Sequence, residues 1–309
     1  MSEAIIEVSQ LTKQFKSKTA VHKANFKICR GEIFGLIGQN GAGKSTLLKM
    51  IGGLMYPTSG EIKLFNRTVK DSHPYFERIG ILIEHAGLFP HYNAYENLDL
   101  IAISYGLTSR EEHINKLLKL VGLDASNKSK VKNYSMGMKQ RLGIAAALIG
   151  SPDVLILDEP INGLDPQGIS EIRRMILELN KAGMTIIISS HILEELSKVA
   201  TQYAILHQGE VIEHHSREQL LLQCEDRIEI EVEKASSAVP ILEQHLNINH
   251  YKVISEHVVY IYDSHIENQH IIKSLVENGV TVHSITKHKQ SLEQYYFLAR
   301  TGSEGDSHD

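Results

Sequence analysis

The residues Gly38, Gln39, Asn40, Gly41, Ala42, Gly43, Lys44 and Ser45 run in an order that suits a phosphate. Glycines at this spacing let successive backbone N–H groups turn inward around anionic oxygens, and a helix opening at Lys44 adds its positive end. Gly38, Asn40, Gly41 and Gly43 then present the loop, Lys44 reaches the β- and γ-phosphates, Ser45 ligates Mg2+ and Thr46 donates to the α-phosphate; ATP and Mg2+ are the expected ligands. A second run, Val154 to Leu157, ends in Asp158 and Glu159, so that a buried strand carries two carboxylates at its tip. Asp158 suits the magnesium shell and Glu159 suits polarising the attacking water. Many strands end in acidic residues, and it is the upstream glycine loop that gives this pair its meaning. His191, just past the apolar run Ile186 to Ser189, stands where it can contact the γ-phosphate and hold the attacking geometry. A lone histidine there is usually structural; beside the other two motifs, Lys44, Glu159 and His191 form the expected catalytic set.

The elements that must position these residues follow from periodicity and turn chemistry. Ile5 to Val8 and Glu32 to Ile37 predict strands, and Lys44 to Leu54 a helix opened by the glycine turn. From about 85 to 150 the pattern is helical: Asn93 with Glu96 and Ser109 with Glu112 are capping-box pairs heading Ala94 to Tyr105 and Arg110 to Val121. Strands return at Val154 to Leu157 and Thr185 to Ser189 around a helix from Gly168 to Lys181, and a hairpin is expected through Gln208 and Gly209. This order predicts a parallel α/β sheet with crossover helices and a helical insert. Beyond about Leu222, Ile228, Ile230 and Val232 alternate with Glu229, Glu231 and Glu233 as a half-buried strand does. A helix near 237–246, strands near 251–262, a helix near 266–277, a strand near 279–285 and a last helix complete a small α+β domain resembling a split βαβ sandwich. The expected boundaries are 1–220 for the nucleotide-binding domain and 221–309 for the accessory domain.

Tyr134, Ser135, Met136, Gly137, Met138, Lys139, Gln140 and Arg141 sit at a helix start upstream of Asp158. Ser135, Gly137, Gln140 and Arg141 resemble the signature sequence of ATP-binding-cassette (ABC) proteins, with Tyr134 and Met136 departing from its commonest Leu and Gly. That resemblance implies that the signature of one subunit faces the γ-phosphate held by the phosphate loop of another, closing two ATP molecules in a dimer. Gly163, Leu164 and Asp165 resemble the family's D-loop, whose aspartate meets the neighbouring subunit; a plain turn is the alternative. Phe15 resembles the aromatic that stacks on adenine, with a core side chain as its alternative. The resemblance spans about residues 3 to 220. Glu84 stands where the family usually has a Q-loop glutamine, and this substitution, with the C-terminal domain, resembles transporters of the bacitracin-export and lantibiotic-immunity type. A glutamate there can still ligate magnesium or orient water, but it brings a charge that the metal must balance.

At 309 residues, with 42% apolar and 22% charged residues, the chain has the composition of an ordinary folded protein with a sizeable core. No apolar run approaches the roughly 18 residues of a membrane span, and no charged-then-apolar leader opens the sequence, so a cytoplasmic location, peripheral on the membrane through partner subunits, is expected. A net charge of −5 offers no general attraction to nucleic acid, and two cysteines, Cys29 and Cys224, lack redox or metal spacing. Lys128, Lys130 and Lys132 read as a solvated face, and the seven histidines from His245 to His288, His265 among them, lack ligand spacing. The resemblance therefore implies an ATP-hydrolysing exporter subunit working with separate transmembrane permeases and a second copy of itself. A DNA-maintenance or ribosome-acting cassette is the alternative. The former needs a long insert between phosphate loop and signature, where only 90 residues separate Lys44 from Tyr134; the latter needs two cassettes, and the motifs occur once.

Overall fold

The computed structural model describes residues 3–68, 74–223, 227–263 and 266–288. Cys224, His265 and the expected last helix lie outside them. The chain divides into two compact units, Met1–Arg217 and Glu218–Asp309.

In the first unit, β3 (Ile33–Ile37), β7 (Val154–Asp158) and β8 (Thr185–Ser190) are buried at every position, as strands of a parallel sheet covered on both faces must be. With β6 (Ile79–Leu82), β9 (Gln202–His207) and β10 (Glu210–Ser216) they form a six-stranded sheet in the order β10-β9-β3-β8-β7-β6. All neighbours are parallel except the β9–β10 hairpin, whose turn uses Gln208 and Gly209 in left-handed backbone. A second sheet was not foreseen. β1 (Ala4–Phe15) runs well past the expected Val8, pairs with β2 (Lys18–Cys29) and β4 (Ser59–Leu64), and β5 (Arg67–Thr68) closes the antiparallel order β2-β1-β4-β5. Helix α1 (Lys44–Ile51) lies between the two sheets: its Leu47, Leu48, Met50 and Ile51 share one core with Ile6, Val8, Phe26 and Ile62 from one side and Phe34, Leu36, Ile156 and Ile187 from the other. It stops short of the expected Leu54 because Gly52 caps it and Gly53 turns left-handed.

The helical insert contains α2 (Ala94–Ser104), α3 (Arg110–Leu120) and α4 (Met136–Leu148). Asn93 and Glu96 form the expected reciprocal capping box on α2. The matching box on α3 does not form: Ser109 accepts no capping bond, and Glu112 instead pairs with Lys116 at 2.7 Å. The helix expected from Gly168 begins at Pro166, because Asp165 caps α5 (Pro166–Lys181) through Gly168 N; its buried Ile172, Met175, Ile176 and Leu179 form one apolar stripe. A short α6 (Leu193–Ser197) follows β8, and α7 (Arg217–Gln223) follows β10.

The second unit runs β11 (Arg227–Val232), α8 (Ala235–Leu246), β12 (Tyr251–Val253), β13 (Val258–Ile261), α9 (Asn268–Glu277), β14 (Val282–His288). Its antiparallel order β12-β13-β11-β14 places the first strand between the third and fourth, the split βαβ arrangement. Ile228, Ile230 and Val232 share a core with Ile241, Leu242, Ile271 and Leu275, so α8 and α9 cover the apolar face of the sheet. Among the described residues no helix is long and apolar enough to cross a membrane.

Candidate functional site

The phosphate loop leaves the end of β3 and is held by its neighbours. Gly41 and Gly43 have φ of 85° and 107°, and a Cβ added to Gly43 would lie 2.2 Å from the carbonyl oxygen of Ala20. Only glycine fits there, which is how β2 presses the loop into shape. Gly209 N donates to Ala42 O at 3.0 Å and His22 N to Gly209 O at 2.8 Å, tying the loop to both hairpins. Phe15 ends the β1 strand of the hairpin that supplies Ala20; it is 44% exposed, with Lys13 Nζ 5.2 Å from its ring centre. It is therefore available for stacking and is not the core side chain of the alternative reading.

Lys44 is buried at 6% exposure and donates to Gly38 O at 2.7 Å and Gln39 O at 3.2 Å. Its Nζ also lies 3.1 Å from Glu159 Oε1, off hydrogen-bond alignment, so that this buried oxygen has an ionic neighbour but no hydrogen-bond donor. Glu159 Oε2 meets His191 Nδ1 at 2.8 Å. Glu159 has φ of 48°, a backbone state that L-residues adopt rarely and that marks many functional positions. Lys44, Glu159 and His191, from three separate elements, thus meet at the ends of parallel strands.

A residue that the sequence did not single out holds this arrangement. Ser189, paired in register with Asp158 across β7 and β8, donates through Oγ to Asp158 Oδ1 and accepts from Glu159 N at 2.9 Å. A polar residue ending an otherwise apolar strand was the available signal.

Ser45 and Thr46 are half-buried on the first turn of α1, which packs against β7. A hydroxyl and the Asp158 carboxylate are hard oxygen donors, and Mg2+ commonly takes one or two such protein ligands while phosphate and water oxygens complete its octahedron. Among the described residues no three His, Cys, Asp or Glu side chains are grouped to cage an ion, so the donors fit a nucleotide-borne Mg2+. Glu84 is engaged by another side chain: its Oε1 accepts from Lys49 Nζ at 2.6 Å, and this bond holds its carboxyl below the usual carboxylate range.

A cleft of about 670 Å³ opens beside these acids, lined by Glu84, Asp158 and Glu159 on one side and by Met136, Lys139 and Gln140 of α4 on another. Gly143 brings α4 onto the wall: a Cβ there would stand 2.7 Å from Ala86 Cβ. Ser135 caps α4 by accepting from Met138 N at 3.2 Å, which uses a lone pair and leaves its O–H free to donate. Ser135 is exposed, and a Cβ added to Gly137 would meet only the Leu164 side chain, at 3.8 Å. Asp165 spends one carboxylate oxygen on the α5 cap. Arg141 turns away from the site, donating to Val121 O and Gly122 O and pairing with Glu171 at 3.4 Å.

Comparison with known proteins agrees with this geometry. The sequence profile of the family described as ABC transporter matches residues 21–162. The bacitracin transport ATP-binding protein BcrA of Bacillus licheniformis is 40% identical over 295 residues, which cover 94% of this chain and 96% of that protein. The lantibiotic transport ATP-binding protein SrtF of Streptococcus pyogenes is 42% identical over 208 residues, 67% of this chain and 89% of that one. Among solved structures, the dimeric cassette MJ0796 in a post-hydrolysis state bound to ADP and Pi is similar with a TM-score of 0.63 at 28% identity, over 69% of this chain and 98% of that chain. With its glycine loop, paired acids and histidine assembled on a parallel sheet, the chain belongs to the ABC transporter family as an ATP-hydrolysing, ATP-binding subunit.

Proposed function

We propose that this subunit hydrolyses MgATP as one of two identical facing cassettes and thereby drives separately encoded transmembrane permeases that export an antimicrobial peptide or a similar amphipathic compound. The observation that carries the reading is Glu159, held between Lys44 and His191 with one buried oxygen lacking a hydrogen-bond donor. A carboxylate so fixed is oriented to accept a proton from water, and its neighbours hold it in place. Lys44 exchanges Glu159 and the loop carbonyls for phosphate oxygens when ATP enters. His191 steadies Glu159 through Nδ1 and turns its other ring nitrogen to the γ-phosphate.

Phe15 stacks on adenine; Gly38, Asn40, Gly41, Gly43 and Thr46 hold the phosphates. Ser45 and Asp158 would hold Mg2+, with Glu84 as a further ligand, and the ion would supply charge neutralisation for the phosphates. Ser135, Gly137, Gln140 and Asp165 serve the nucleotide bound to the second subunit. The subunit works on the cytoplasmic face of the membrane, held there by its permeases. Relatives named for bacitracin and lantibiotic transport support the exporter class, and similarity to BcrA along nearly the whole chain weighs against a ribosome- or DNA-acting cassette.

The test is Glu159→Gln. ATP binding persists, an ATP-bound dimer accumulates in size-exclusion chromatography, and turnover falls at least about 100-fold. Near-normal turnover overturns the assignment of Glu159. Unchanged bacitracin and lantibiotic susceptibility in cells producing Glu159→Gln in place of wild type overturns the peptide-export class.

A further inference from the structure

Two acids leave adjacent parallel strands at the same step. Leu82 of β6 pairs with Leu157 of β7; Glu84 and Glu159 stand two residues beyond that pair on their strands. Both have positive φ, 59° and 48°. Each meets a lysine of the same helix: Glu159 lies 3.1 Å from Lys44, and Glu84 lies 2.6 Å from Lys49. The first lysine belongs to the phosphate loop, whereas nothing in the mechanism above uses the second.

Lys49 follows Ser45 by four residues on α1, so the two side chains share one helix face and are separated by a single turn. The ion pair therefore holds the Glu84 carboxylate on the side of α1 that carries the hydroxyl expected to hold Mg2+. Glu84 also lines the cleft that Asp158 and Glu159 line, so its side chain and the expected metal carboxylate open onto the same space. The turn around it is tight, with His85 N donating to Ile83 O at 2.7 Å, and it leads directly into the helical insert. A glutamine at position 84 would meet Lys49 through a weaker, neutral acceptor; the charge at Glu84 is what makes the lysine a competitor.

Given the MgATP site proposed above, we propose that Lys49 is a positioning residue that competes with the nucleotide-bound Mg2+ for the Glu84 carboxylate, so that the insert is drawn in only when the metal displaces the lysine. Lys49 thereby links magnesium occupancy to movement of the segment that follows Glu84. Both side chains are partly exposed, at 26% and 63%, and the competition is correspondingly modest.

The experiment measures binding of the non-hydrolysable analogue adenylyl imidodiphosphate by calorimetry across a Mg2+ titration. Wild type, Lys49→Met, Lys49→Arg, Glu84→Gln and the double variant Lys49→Met/Glu84→Gln are compared, with thermal melting as the check on folding. In Lys49→Met the Mg2+ midpoint falls about three- to fivefold, the reach of an exposed pair. Affinity in EDTA stays unchanged, and Lys49→Arg keeps the wild-type midpoint. Hydrogen exchange of residues 83–88, measured without nucleotide, speeds up in Lys49→Met. In the Glu84→Gln background the same lysine substitution produces no further shift, because the competing partner is gone. An equal shift in both backgrounds means that Lys49 acts by its charge alone and overturns the proposal, as does an unchanged or raised midpoint. If Lys49→Met fails to melt cooperatively, Lys49→Gln carries the same comparison. Wild type that binds the analogue without any Mg2+ dependence overturns the metal site itself, and this role with it; Mg2+-dependent wild type with an unshifted variant overturns the role alone.

Discussion

Ser189 gives one hydroxyl two tasks, donating to Asp158 and accepting from the backbone of Glu159, and so fixes together the carboxylate proposed for Mg2+ and the proposed base. Removing it leaves both acids in place but unbraced. Ser189→Ala is therefore expected to lower turnover by about 10- to 100-fold, the range for lost outer-shell partners, with the ATP dissociation constant in EDTA unchanged. A steady-state assay beside an equilibrium titration checks this, and full activity in Ser189→Ala would show that the brace is dispensable. At this scale the sequence was legible where chemistry is contiguous. Lys44 and Ser45 follow their glycines, and Glu159 follows Asp158, so spacing alone singled them out as candidates. Ser189 and Lys49 act through partners 31 and 35 residues away, and the strand register and helix placement that join them are not written in any local pattern. Arg141 belongs to a recognisable motif, and its guanidinium anchors α4 to the end of α3 and to α5.

The two capping boxes show how the same local pattern diverges at the level of elements. Asn93 has extended backbone, with ψ of −179°, which points its side chain at Glu96 N, whereas Ser109 has ψ of 53° and turns away from the corresponding amide. Asn93 is also buried and its carbonyl accepts from Asn97 Nδ2, so the start of α2 is pinned twice. Asn93→Ala is expected to cost about 1–2 kcal/mol in urea unfolding, the upper part of the capping range, and Ser109→Ala less than about 0.5 kcal/mol. Equal costs would contradict the geometric distinction. The strand β2 escaped notice for a related reason. Val21, Ala24, Phe26 and Ile28 are its buried residues, and the break between Val21 and Ala24 defeats a search for two-residue alternation. Lys23 sits there with φ of 44°, and the pairing with β1 shifts register nearby. The uninterrupted apolar strands β3, β7 and β8 carried no such break and were readable within about a residue of their ends.

For the molecule as a whole, the nucleotide motifs occur once, and the proposed dimer sets the signature of each chain against the phosphate held by the other. Ser135 is exposed, its lone pair caps α4 and its O–H remains to donate; the adjacent amides of the helix start add a positive end. Such a donor set suits an anion, and in the proposed two-fold dimer that anion is the one the partner holds. The consequence is complementation between two dead chains. Lys44→Ala removes the phosphate lysine, and Ser135→Arg blocks the signature. Each homodimer then carries two defective sites. A mixed dimer pairs the intact Lys44 of one chain with the intact Ser135 of the other, restoring one composite site and placing both lesions in the second. With random mixing of equal amounts and independent sites, turnover should recover to about a quarter of wild type. The measurement is ATPase activity of a mixture whose heterodimer content is established by differential tagging. If proven heterodimers remain as inactive as either parent, a signature acting across the interface is wrong, or hydrolysis requires both sites intact; a tandem fusion of wild-type and Lys44→Ala chains separates these, since activity there with none in the mixture leaves only the first explanation.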